Sequence, residues 1–300
     1  MENKNQIKTF YSKDWREYEL LDTGEGEKLE KFGQYIFVRP HEDAIWQKTL
    51  DKKEWDKVDG KFWSSKQGAK AGWKFQKKII DKWEMSYKDI KFLASPTPFR
   101  HLGFFPEQAS HWAFIEEKIK SAEVRFPQKI KFLNLFGYTG VASLFALRAG
   151  AEVTHVDASK QTLIWAKENQ NINPELKNLP MRILEDDVLK FLEREVKRGN
   201  KYDCVIMDPP KHGRGPKGEV WKIEEMLPKL LLQVQKVLSE KPLFVILTSY
   251  AVDSSSLSLS YALADTTKDW KGEVEAGELC ILEKSNNRFI PLANTAVWHF

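Results

Sequence analysis

Apolar positions along the chain follow two rhythms. From Phe10 to about Ser95 they come in short alternations. YELLDTG ends in a turn near Gly24 and Gly26, QYIFVRP follows Gly33, and WEMSYKDIKFLAS alternates Trp83, Met85 and Tyr87, then Ile90 and Phe92. Side chains two residues apart share a strand face, so this stretch predicts a small sheet of hairpins. After a Pro-punctuated connection (95–112), ASHWAFIEEKIKSA has helical spacing, with Trp112, Ile115 and Ile119 on one face. From Ile130 the rhythm changes to strand, turn and helix, repeated. KFLNLF, AEVTHVDAS, MRILEDD, YDCVIMDPP and PLFVILTSY read as strands, with helical stretches between them, the last of these spanning WKIEEMLPKLLLQVQKVLS. SLSLSYALADTTKDW reads as a further helix, and GELCILEK and TAVWHF as late strands. The alternation predicts an α/β fold, a mostly parallel seven-stranded sheet covered by helices on both faces, preceded by a small β-rich domain.

Composition supports two domains, 1–95 and 96–300. Residues 1–100 hold 21 Lys+Arg, 17 Asp+Glu and six of the eleven tryptophans, whereas the rest of the chain balances its charges at 26 and 26. Residues 51–91 carry twelve lysines against seven acids, interleaved with Trp55, Phe62, Trp63, Trp73, Phe75, Trp83 and Tyr87. Lysines pair with phosphates and rings stack on unpaired bases, so the segment suits RNA. The same residues equally suit an aromatic core with a solvated lysine exterior, and both readings stay open. At 42% hydrophobic and 30% charged residues the chain is globular, not disordered. No apolar run reaches membrane-span length and MENKNQIKTFYSKDW lacks a signal-peptide core, so a cytoplasmic chain with no membrane partner is expected. Two cysteines and six dispersed histidines predict neither a disulfide framework nor a metal site.

In open α/β sheets ligands bind beyond the C-terminal strand ends. Four such ends carry a matched set of groups. The first is Asn134-Leu135-Phe136-Gly137-Tyr138-Thr139-Gly140, whose glycines let the backbone approach a ligand, or simply make a turn. Asp157 closes the next strand, where a carboxylate can accept both hydroxyls of a ribose or cap the following helix, a role for which Ser159 competes. Glu185-Asp186-Asp187 follows the third, and one of these acids can take an adenine amino group or cap a helix. Asp208-Pro209-Pro210-Lys211 closes the fourth as a stiff loop that does not continue its strand. Together they compose a nucleoside site with a rigid reaction loop. The G-x-G-x-x-G of nicotinamide enzymes, the phosphate-binding G-K-[ST] and the hydrolase G-x-S-x-G are all missing.

NLFGYTG, VTHVDAS, EDDV and DPPK in this order resemble the class I S-adenosylmethionine-dependent methyltransferases, and within them the large-subunit ribosomal RNA methyltransferase I/K branch. GFFPEQ (103–108) is similar to that branch's lead-in to the catalytic domain. The resemblance implies a Rossmann-like domain using S-adenosylmethionine. Asn134, Phe136, Gly137, Tyr138, Thr139 and Gly140 would then lie under the methionine part, with Asp157 on the ribose beside Ser159. Asp186 or Asp187 would reach the adenine, Gln108 would approach from the lead-in, and Asp208, Pro209, Pro210 and Lys211 would line the transfer site. The branch's N-terminal PUA-type domain is expected to be absent. Its cytosine-C5 members carry a cysteine nucleophile after the fifth strand, where this chain has Thr248-Ser249-Tyr250.

The expectation is a methyltransferase acting on RNA, ribosomal RNA foremost, by in-line transfer without a cysteine nucleophile. A protein or small-molecule methyltransferase and a non-catalytic RNA-binding module are the alternatives, the second disfavoured by the full set of acidic and D-P-P-K positions.

Overall fold

The structure, a computed structural model, describes residues 6–13, 15–64, 71–123, 128–250 and 255–300. They form two compact units: an α/β unit from the described parts of Met1–Phe10, Ser110–Leu279 and Pro291–Phe300, and a β-rich unit from those of Tyr11–Ala109 and Cys280–Ile290. The chain opens with β1 (Ile7–Phe10), a strand of the α/β unit.

In the β-rich unit, β2 (Tyr18–Gly24), β3 (Glu27–Phe32) and β4 (Tyr35–Pro40) form an antiparallel meander. Its first turn needs left-handed backbone at Glu25 (φ 54°) and Gly26 (φ 77°), which explains the Gly there. A short helix, α1 (Lys52–Asp56), leads to β5 (Gly60–Trp63), which runs parallel to β4 and antiparallel to β6 (Gly72–Phe75). A separate hairpin joins β7 (Trp83–Tyr87) to β8 (Ile90–Ala94). Trp83, Met85, Tyr87, Ile90 and Phe92 are all buried, as their alternation predicts. Glu30 is fully buried among them, bound by Arg39 at 2.6 Å and by the Tyr18 hydroxyl at 2.9 Å. Burial, the largest single influence, would raise its carboxyl pKa, but the Arg39 and Lys28 charges together with the hydrogen bonds from Arg39 and Tyr18 outweigh it and hold the group at about 2.

The α/β unit continues with α2 (Ala109–Glu123), which buries Trp112, Ile115 and Ile119 along one stripe. Then β9 (Lys131–Leu135), α3 (Val141–Arg148), β10 (Glu152–Asp157), α4 (Lys160–Asn171), β11 (Met181–Glu185), α5 (Val188–Arg198) and β12 (Cys204–Met207) alternate. The long helical stretch expected from Trp221 onward is shorter than its pattern suggested. Two three-residue strands, β13 (His212–Arg214) and β14 (Val220–Lys222), form a hairpin first, and α6 (Ile223–Val237) starts only after it. β15 (Phe244–Ser249), α7 (Ser256–Thr267), β16 (Glu273–Leu282) and β17 (Phe289–His299) complete the chain.

The sheet order is β1-β16-β17-β15-β12-β9-β10-β11. β9, β10, β11, β12 and β15 pair in parallel, and β17 is antiparallel to β15. Seven of the strands follow from the alternation in the sequence. The eighth, β1, adds to the edge at β16 in parallel register. β12 and β15 are buried at every residue, as expected for central strands covered on both faces. No helix among the described residues is long and apolar enough to cross a membrane.

Candidate functional site

Strand register brings the four motif-bearing ends together. Leu135 at the end of β9 pairs with both Val156 and Met207, and Asp157 pairs with Glu185. The segments just beyond these pairs, namely 136–140, 157, 186–187 and 208–211, therefore emerge along one edge of the sheet.

The loop after β9 is bent by its backbone. Phe136 (φ 57°) and Tyr138 (φ 52°) are non-glycine residues in the left-handed region, each costing on the order of 1–3 kcal/mol, and such outliers cluster at functional sites. Hydrogen bonds hold the bend: Gly137 N–H to the Val156 carbonyl and Gly140 N–H to the Gly137 carbonyl, both 3.0 Å, and Tyr138 N–H to Asp157 Oδ2, 2.9 Å. Gly137 is required by close approach, because a Cβ there would stand 2.3 Å from Cε1 of the His155 ring. His155 is buried, its Nδ1 3.0 Å from Ser143 Oγ, and Ser143 in turn accepts from Asn134 Nδ2 at 2.9 Å. Burial lowers the imidazole pKa to about 4, against the pull of Asp157, so the ring under the loop is neutral. The Thr139 carbonyl accepts from Asn169 Nδ2 at 2.9 Å. Burial first, and the Asp157 charge second, push the Tyr138 hydroxyl up to about 12.

Asp157 does structural work as well. Its Oδ1 accepts from Ser159 N–H at 2.9 Å and Thr162 Oγ1 at 3.0 Å, while among the described residues Oδ2 accepts the loop N–H alone. One oxygen is thus filled and the other has room for a further donor. Ser159 is the N-cap of α4, its Oγ accepting from Thr162 N–H, so the competition for that cap is shared between the two side chains. Asp187 caps α5 through Oδ1 to Lys190 N–H at 3.0 Å. Asp186 pairs with Arg194 across the first turns of α5, and its N–H donates to the Asp157 carbonyl at 3.0 Å.

After β12, Pro209 is buried, Asp208 half-buried, and Pro210 and Lys211 exposed. The Pro210 carbonyl accepts a 2.6 Å hydrogen bond from Trp221 Nε1. The Trp221 ring, 6% exposed, also meets Phe136 edge-on at 4.9 Å between centroids. One tryptophan thus touches both loops. Reading the sequence missed it, because Trp221 was absorbed into a helix. Gly213, Gly215 and Gly218 are the signal that marks a hairpin ahead of it. His155, Ser143 and Thr162 were missed too, since a buried polar residue beside a motif has no local mark.

Gln108 lies buried in the β-rich unit at the end of a 3-10 turn, Pro106–Gln108. Both cysteines are buried, and burial pushes the Cys204 thiol far up, so neither presents an exposed thiolate. Glu273, Glu275 and His299 group closely enough to suit a metal ion. Glu275 is already paired with Lys8, and the His299 ring lies 3.3 Å from Lys118 Nζ.

The aromatic residues of 51–91 divide. Trp55, Phe62, Trp83 and Tyr87 are buried, as a core reading requires. Trp63 and Phe75 are exposed at 38% and 41%, Trp73 stacks on Phe75 at 5.7 Å, and Lys61 lies over Trp63. Lys77 is paired with Asp59. Lys66 and Lys70 lie outside the described residues.

A family model described as "Conserved hypothetical protein 95" matches residues 117–260. The ribosomal RNA large subunit methyltransferase K/L of Pseudoalteromonas translucida is 32% identical over 50% of this chain and 20% of its own length. The ribosomal RNA large subunit methyltransferase K of Neisseria meningitidis is 31% identical over 46% of this chain and 40% of its own. The chain therefore spans well under half the length of these curated relatives. A crystal structure of an S-adenosylmethionine-dependent methyltransferase from Agrobacterium tumefaciens is 37% identical, covers 100% of this chain and 97% of its own, and superposes with a TM-score of 0.91. Likeness of that extent over both full lengths, with the four strand ends in register, places this chain in the family of S-adenosylmethionine-dependent methyltransferases.

Proposed function

We propose that this protein transfers the methyl group of S-adenosylmethionine to a base of RNA, ribosomal RNA foremost. The observation that carries the reading is the single sheet edge at which a tightly bent backbone loop, the acid Asp157 that braces it and a stiff D-P-P loop emerge together. Residues 96–300 would perform the transfer and residues 1–95 would help hold the RNA.

The chain's residues fit the cofactor. Gly137 packs its backbone directly on the buried His155 ring and Gly140 adopts φ 83°, so the loop takes a tight bend that a side chain at either position would displace. Asn134, Phe136, Gly137, Tyr138, Thr139 and Gly140 would hold the methionine part, Asp157 Oδ2 the ribose, and Asp187 or Asp186 the adenine. Ser159 would stay at the helix cap beside the ribose, and Gln108 would approach from the lead-in. The cofactor, when bound, supplies an electrophilic sulfonium methyl for in-line displacement. The protein's part is alignment, which can contribute several kcal/mol, about 7–11 in the best intramolecular cases. Pro209 and Pro210 hold the loop stiff, Asp208 accepts a proton or hydrogen bond from an accepting atom that carries one, and Lys211 steadies a phosphate or base oxygen. With both thiols buried, transfer proceeds without a cysteine adduct, to nitrogen, oxygen or a carbon activated by other means.

The RNA substrate is supported by the names of the relatives and by the exposed Trp63, Phe75 and Lys74 of β5 and β6. Mass spectrometry of ribosomal RNA from cells with and without this chain tests the reading. A methylated nucleoside that disappears with the chain is expected, and identical nucleoside profiles would contradict it.

A further inference from the structure

We propose that the β13–β14 hairpin is an RNA-gripping arm of the active site, whose exposed face binds backbone phosphates beside the accepting base. The proposal rests on the RNA reading above and adds to it a second, separate contact surface on the catalytic unit itself. Residues 211–222, KHGRGPKGEVWK, hold four Lys and Arg against one acid. The hairpin pairs His212 with Lys222, Gly213 with Trp221 and Arg214 with Val220, and closes through Gly215 N–H to the Glu219 carbonyl at 2.8 Å.

Strand alternation splits this ladder into two faces. The Gly213–Trp221 pair turns toward the site: a Cβ on Gly213 would lie 3.3 Å from the Pro210 ring and 3.7 Å from Trp221. Trp221 then anchors the arm to the Pro210 carbonyl and to Phe136. The other two pairs, His212–Lys222 and Arg214–Val220, are exposed on the opposite face. The one acid, Glu219, is neutralised from the side by Lys190 at 2.6 Å and accepts from Lys217 N–H at 2.8 Å. Lys222 shares its charge with Glu225 at 2.9 Å. Arg214 and Lys217 are exposed and have no ion pair among the described residues. A cationic face on a hairpin tied by one indole to the loop that orients the reaction is complementary to a polyanion entering that site. A strand held there by its phosphates lies beside the 208–211 loop, which runs straight into the hairpin at His212.

The test uses the full chain and a fluorescein-labelled single-stranded RNA 20-mer of mixed sequence, titrated at several salt concentrations, with S-adenosylmethionine affinity measured by calorimetry. The variants are Arg214→Glu with Lys217→Glu, and the milder Arg214→Gln with Lys217→Gln. Lys197→Glu with Lys236→Glu, on exposed positions of α5 and α6, controls for net charge. The charge-reversed arm should bind RNA at least tenfold more weakly than the control. Its log–log salt slope should fall by about 1.4, as two lost phosphate contacts on a single strand require. The Gln pair should fall between, and cofactor affinity should stay unchanged in all. RNA binding equal to that of the control would overturn the arm and leave the RNA reading intact. Loss of cofactor affinity together with RNA affinity in both arm variants would also overturn it, by showing that these side chains shape the loops instead. Failure of the wild-type chain to bind the RNA even at low salt would overturn both.

Discussion

The loops 136–140 and 208–211 leave neighbouring strands, β9 and β12, yet they are held by opposite means. The first is bent through left-handed backbone at Phe136 and Tyr138, and its bonds run to Val156 and Asp157 on the adjacent strand and to Asn169 of α4. The second is straightened by two prolines, and its clamp, Trp221, comes from a hairpin eleven residues beyond Pro210. A strained loop with bare backbone suits a ligand of fixed shape. A stiff loop braced by an exposed hairpin suits a larger partner that approaches from outside. Variants at Gly137, Asp157 and Trp221 can sharpen or break this contrast, and a cysteine double variant tests the chemistry beside it.

The largest effect is expected at Gly137. Gly137→Ala drives a methyl into the His155 ring, and overpacking of this kind costs about 1–3 kcal/mol while displacing the loop. Cofactor affinity should collapse, and the added change His155→Ser should restore part of it by opening space. If Gly137→Ala binds normally, the first loop is not held by close approach. Asp157→Ala comes next: it removes the brace on Tyr138 N–H and the proposed hydrogen bond to the cofactor ribose, and calorimetry should show a loss of about 1.5–3 kcal/mol. Unchanged affinity would take Asp157 out of the site.

A smaller and more selective effect is expected at Trp221. Trp221→Phe keeps a ring against Phe136 but cannot donate to Pro210. Its kcat should fall up to about tenfold, the rate equivalent of ~1.4 kcal/mol, with cofactor affinity preserved. A matching fall in cofactor affinity would show that the two loops are not independently held. The smallest effect belongs to Cys204→Ala with Cys280→Ala. Both side chains are buried, so the folded double variant should keep its transfer rate. A folded variant that binds cofactor and RNA yet transfers nothing would restore a cysteine mechanism.

Much of this architecture was legible because it is local. Strand–helix alternation from Ile130 onward repeats within ten to twenty residues, and each motif at a strand end is contiguous, so β9 to β12, β15 and the four candidate segments could be located from spacing alone. What was missed depends on contacts between distant residues. β1 reads as four ordinary residues until β16 supplies its partner 269 positions later, Ile7 opposite Ala276. Trp221 has helical neighbours, and only the three-dimensional position of Pro210 and Phe136 gives it a role. For Asp157 the sequence offers ribose binding or a role at the helix start, and the structure displays the second: Oδ1 serves the α4 start, while Oδ2 takes the Tyr138 N–H. The mixed fate of the 51–91 aromatics follows from strand alternation, which turns Phe62 inward and Trp63 outward from the same short strand.

The measurement that bears most directly on the whole account is transfer itself. Purified chain is incubated with methyl-labelled S-adenosylmethionine and large-subunit ribosomal RNA taken from cells lacking the chain, and the RNA is digested to nucleosides. The account predicts label in a base, no covalent protein–RNA adduct, and loss of most of the label with Asp208→Ala. Label that stays in the cofactor while the protein binds it normally, or that appears on protein and not on RNA, would contradict it.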